Sequence, residues 1–65
     1  MFKEFEVVRL KKSQSGVEAG ARGTILMVYD SPRAGYEVEF LDNSGHTVAL
    51  LTLYDDDLEL VSDRQ

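Results

Sequence analysis

Three consecutive aspartates, Asp55, Asp56 and Asp57, come nearest in this sequence to a group that could hold a metal. Carboxylate oxygens suit Mg²⁺ and Ca²⁺, but a calcium loop spaces its ligands around a glycine turn, and three adjacent side chains cannot all converge on one ion. The triplet therefore reads as a capping turn whose aspartates satisfy free backbone N–H groups. His46 is the sole histidine and cysteine is absent, so zinc ligands and disulfides are both lacking. The serines Ser13, Ser15, Ser31, Ser44 and Ser62 fall in turn-rich segments or at the end of the chain. None sits in a G-x-S-x-G elbow, and one histidine would have to serve them all as base. The expectation is a chain with no catalytic residue, no cofactor and no metal.

Arg9, Lys11 and Lys12 form a small basic cluster that could touch phosphate, with Tyr29 or Tyr54 stacking a base. The charge of the whole chain weighs against that use. Residues 1–33 carry six bases and four acids, a balance of +2, whereas residues 34–65 carry one base and eight acids, a balance of −7; the two give −5. Nucleic-acid affinity rests mainly on Lys and Arg, so a strongly acidic half disfavours it. Such a half suits a basic protein partner, and it also keeps a small protein soluble.

The elements that must position these residues are short. Sixty-five residues allow one domain, 1–65, with residues 62–65 as a frayed tail. A chain this small buries only about 60% of the surface that it exposes when unfolded. Without staples its stability must come from apolar packing. Turn signals recur at Ser13 to Gly23, Asp30 to Gly35, Asp42 to Gly45 and the aspartates near Asp56, which is the spacing of a small all-β sandwich or barrel.

A first strand is expected over Glu4 to Leu10, with Val8 and Leu10 on one face and Phe5 and Val7 on the other, followed by a polar loop to Glu18. Arg22 to Tyr29 reads as a second strand whose apolar character on both faces suggests a strongly bent, central strand or a bulge near its start at Gly23. Asp30 to Gly35 reads as a loop, in which Pro32 cannot donate to a ladder and Gly35 permits positive φ. Tyr36, Val38 and Phe40 alternate with Glu37 and Glu39, so the aromatics and valine face the core and the glutamates face water. Asp42-Asn43-Ser44-Gly45 fits a type I turn closed by a left-handed glycine. That turn sets Phe40 opposite Val48, Val38 opposite Leu50 and Tyr36 opposite Thr52. Ala49 and Leu51 then lie on the outer face beside Glu39 and Glu37. With Leu41 they form an exposed apolar group that either marks an interface or lies under a loop; on the first reading Leu41, Ala49, Leu51, Glu37 and Glu39 are the candidate partner-binding residues. A 3₁₀ turn at the aspartates and a last strand, with Leu58, Leu60 and Val61 closing the structure, complete the reading.

Five strands with one 3₁₀ turn before the last match a five-stranded SH3-like barrel. Glu6-Val7-Val8-Arg9-Leu10 and Gly20-Ala21-Arg22-Gly23-Thr24-Ile25 resemble the opening of the KOW motif, which implies RNA or a partner in transcription or translation. Over nearly its whole length the chain is similar to a family of short bacterial proteins known as domain of unknown function 4926. The segments that carry this are Phe5 to Leu10, Gly20 to Ile25, Tyr36 to Phe40, Thr47 to Leu53 and Leu58 to Val61. That resemblance implies a fold and no activity.

The function expected is therefore that of a non-catalytic protein-interaction module, binding another protein or a second copy of itself. A sharper form is an acidic chain that masks a basic partner, as antitoxins and immunity proteins do. The alternative is a KOW- or Sm-like nucleic-acid-binding barrel. With no signal peptide and no apolar run long enough for a membrane span, the expected location is the cytoplasm.

Overall fold

The computed structural model describes residues 1–61, so the tail expected at 62–65 lies outside the described residues. Five antiparallel strands form one sheet: β1 (Val7–Leu10), β2 (Arg22–Tyr29), β3 (Gly35–Leu41), β4 (Thr47–Leu53) and β5 (Leu58–Leu60). A 3₁₀ turn, Asp55–Asp57, precedes β5. The strand order is β4-β3-β2-β1-β5, which is that of an SH3-like barrel. The sheet stays open between β4 and β5, so the barrel is loose.

Alternation decides which side chains meet. Val8, Leu10, Ile25, Tyr36, Val38, Phe40, Leu53 and Leu58 are buried in one cluster. Tyr36, Val38 and Phe40 face inward as their period of two requires. Gly23 lies opposite Phe40, and a Cβ there would stand 2.7 Å from Val38 Cγ1 and 2.9 Å from Phe40 Cε1. The missing side chain lets β2 close over Val38 and Phe40 of β3.

Outside the β3–β4 hairpin, five details differ from the sequence expectation. The first strand begins at Val7, because Lys3 to Glu6 make a turn in which Glu6 N–H bonds Lys3 C=O and Phe5 takes a positive φ of 70°. The bulge of β2 falls between Ile25 and Met27 instead of at Gly23. Gly35 is required by closeness and not by positive φ: a Cβ would lie 3.1 Å from the Tyr54 ring. The loop after β1 contributes to the core, since Gln14 and Val17 exchange backbone bonds around Ser15 and Gly16, both at positive φ. That tight turn, of the kind Ser-Gly pairs favour, delivers Val17 into the cluster. Lastly, Leu58 and Val61 are the buried residues at the end of the fold, whereas Leu60 is 54% exposed.

Candidate interaction surface

The hairpin of β3 and β4 decides which apolar groups are presented. Its turn forms as the residue types dictate. Gly45 N–H bonds Asp42 C=O, Asp42 N–H bonds His46 C=O, and Gly45 has a φ of +87°. The Asp42 carboxylate accepts from the backbone N–H of Ser44 at 2.8 Å and of His46 at 2.9 Å. Leu41 then pairs with Thr47, as that turn demands. The next pair, however, is Phe40 with Ala49.

Val48 is thus an extra residue on β4, and every pair beyond it is displaced by one. Val38 faces Leu51, Tyr36 faces Leu53, Glu39 faces Leu50 and Glu37 faces Thr52. A shift of one residue turns a strand's whole side-chain set over. Ala49 and Leu51, expected outside, point inward and pack partly buried against the core. Val48 and Leu50, expected inside, are 59% and 52% exposed. Leu41 stays exposed, and Glu37 and Glu39 stay on the outer face. Two of the five candidate residues are therefore displaced from this surface, and Val48 and Leu50 take their place. Only a bulge separates the two patterns, and the uncharged run Val48-Ala49-Leu50-Leu51 offers an apolar residue to either face.

The outer face reads as rows across the strands. Val7, Thr24, Glu39 and Leu50 lie side by side, and Met27, Glu37 and Thr52 form the next row. Glu37 accepts from Thr52 Oγ1 at 2.9 Å and from the Tyr29 hydroxyl at 3.2 Å. Glu39 accepts from Thr47 Oγ1 at 2.7 Å. These hydroxyls hold both carboxylates against the sheet while leaving them partly exposed. Partial burial, then the charge and hydrogen bond of Glu37, raise the Tyr29 pKa above its ordinary value of 10.0. A shallow depression of about 230 Å³ lies among Val7, Arg22, Thr24, Glu39 and Leu41. The result is an apolar surface threaded with acids, with Arg22 at its margin.

Elsewhere the polar residues have structural work. Asp55 accepts a hydrogen bond from the Tyr36 hydroxyl. Asp57 accepts from Tyr54 N–H at 2.9 Å and from Gln14 Nε2 at 3.3 Å, and Asp56 is exposed. Asp55 and Asp57 bond different partners, and Asp57 caps the backbone N–H of Tyr54 as expected of a capping turn. His46 stands in the exposed β3–β4 turn, with Nδ1 3.8 Å from Asp42 Oδ2. Arg9 pairs with Glu59 at 3.4 Å, while Lys11 and Lys12 are exposed. The Tyr54 ring carries the Arg33 guanidinium 3.6 Å above its centroid, so its face is already covered. Among the described residues no helix is long and apolar enough to cross a membrane.

The family model described as "Domain of unknown function (DUF4926)" matches residues 4–60. No curated protein and no solved structure matches the chain.

Proposed function

The chain belongs to the DUF4926 family, and from that premise we propose that it is a non-catalytic interaction module that docks a basic protein on the outer face of β2, β3 and β4. One observation carries the reading. Val48, Leu50, Leu41 and Met27 are between 48% and 59% exposed, and Glu37 and Glu39 lie among them. Leucines and a methionine gain nothing from water, and a cluster of them on a sheet face marks a surface that another molecule covers. The interleaved carboxylates select the sign of that molecule. Lys and Arg could lay their aliphatic stems over the leucines and bring their charged ends to the glutamates. The net charge of −5 adds steering over a longer range.

The test is capture by the immobilised chain from an extract of the cells that make it. Wild type should retain a basic protein that salt elutes. Leu50→Lys and the double variant Glu37→Gln/Glu39→Gln should lose it while melting like wild type. Equal capture by all three would place any partner elsewhere and end the proposal.

A further inference from the structure

We infer that the free edge of β4 is a strand-addition site, and that its occupant is an extended segment of another protein with Lys or Arg on one face and apolar side chains on the other. The inference rests on the reading above and gives it a geometry.

The two edges of the sheet differ. β5 has three residues, includes the charged Glu59 and follows directly on the 3₁₀ turn, so it is short and guarded. β4 has seven residues, Thr47 to Leu53, with no charge and no proline. It pairs with β3 on one side, and among the described residues no further backbone hydrogen bond reaches Val48 to Leu53. Exposed edges normally carry lysine, proline or a bulge that discourages pairing with another chain. The one bulge here falls at the start of β4, leaving Ala49 to Leu53 in unbroken register. Five residues of extended strand offer about 17 Å of edge.

Side chains and charge specify what fits. Ala49 and Leu51 face inward yet are only partly buried, because no strand lies beyond them. A neighbour's apolar side chains would complete that cover. On the outer face a neighbour would meet Leu50 and Thr52, with Glu39 and Glu37 one strand further in. Acids also frame the strand: Asp42 stands before it and Asp55, Asp56 and Asp57 follow it. Basic residues on the incoming strand reach these carboxylates across Leu50. A second copy fits badly. Antiparallel pairing of two β4 edges would set the Asp42 end of one against the Asp55 end of the other, between chains that each carry −5.

A short blocked peptide of alternating lysine and valine is the probe. Two further versions carry N-methyl groups, one on the lysine amides and the other on the valine amides. Only one set of alternate amides can face β4, so one version should lose binding and the other keep it. Amide exchange of the chain should slow at β4 when the unmodified peptide is added. Glu37→Gln/Glu39→Gln should weaken binding about tenfold, the effect of losing two partly exposed charge pairs. Equal behaviour of the two methylated peptides, or binding without protection of β4, overturns the edge site. So does a free chain that scatters light as a dimer with β4 already protected, for then a second copy is the occupant. Salt-eluted capture that depends on Leu50, with β4 unprotected by the captured protein, would retain the docking surface and remove only the edge.

Discussion

Tyr36 ties three parts of the chain together. Its ring is fully buried and meets the Phe2 ring edge-on, with centroids 5.4 Å apart and planes at 68°. Its hydroxyl donates to Asp55 and accepts from Phe2 N–H at 3.1 Å. The N-terminal segment and the 3₁₀ turn are thus pinned to the start of β3 through one oxygen. Burial, then the hydrogen bond to Asp55, pushes the Tyr36 pKa above 10.0, with Phe2 N–H opposing. In the folded chain the phenol therefore holds its proton to higher pH than in the unfolded chain. Its contribution is complete below pH 10 and fades as pH rises above that value. Tyr36→Phe should cost about 1–2 kcal/mol at neutral pH, the loss of a buried hydroxyl and its two bonds. The gap between wild type and variant should narrow above pH 10, as read from denaturant unfolding at several pH values. A constant gap would mean that the hydroxyl is not what the alkaline transition senses.

Among the elements, β4 is where residue types and tertiary structure part company. Turn chemistry at Asp42 to Gly45 set the first pair, Leu41 with Thr47, and Val48 then broke the register. The outcome can be checked with two neighbouring substitutions. Leu51→Lys places a charge on the inner face against Val38 and should destabilise the chain by roughly 2 kcal/mol or more, the value of a buried leucine. Leu50→Lys changes a half-exposed position and should stay within about 0.5 kcal/mol of wild type. Thermal melts of the two variants decide between registers. If Leu50→Lys were the one to unfold, Val48 would have to belong to the regular ladder.

At the scale of the whole molecule, charge separates the two classes of partner. The +2 of residues 1–33 is further reduced where Arg9 pairs with Glu59. The −7 of residues 34–65 includes Glu37 and Glu39 on the outer face. A surface of this sign should bind RNA or DNA no tighter than the non-specific level of about 10⁻⁴ M at physiological salt. Fluorescence anisotropy with a labelled single strand, in low and high salt, measures it. A sub-micromolar, salt-sensitive affinity would restore the KOW-like reading and displace the basic-protein partner.

Much of the architecture was legible in the residues alone. Period-two alternation in Tyr36 to Phe40 assigned its faces, turn-forming types marked the connections, and the aspartate triplet marked the 3₁₀ turn. These are local preferences, fixed by backbone sterics and by the side chain of each residue. What the sequence left open was decided by packing at a distance. Val48-Ala49-Leu50-Leu51 satisfies either register locally, so the choice falls to which leucines fill the space beside Val38 and Tyr36. Val17 looked like part of a polar loop until the Ser15-Gly16 turn brought it to the core, and Leu60 looked like core although its place on the open edge leaves it exposed. A bulge costs one ladder position and turns over every side chain beyond it. The outer face therefore belongs to Val48 and Leu50 because only the assembled sheet could determine which alternate residues of β4 had an inside to face.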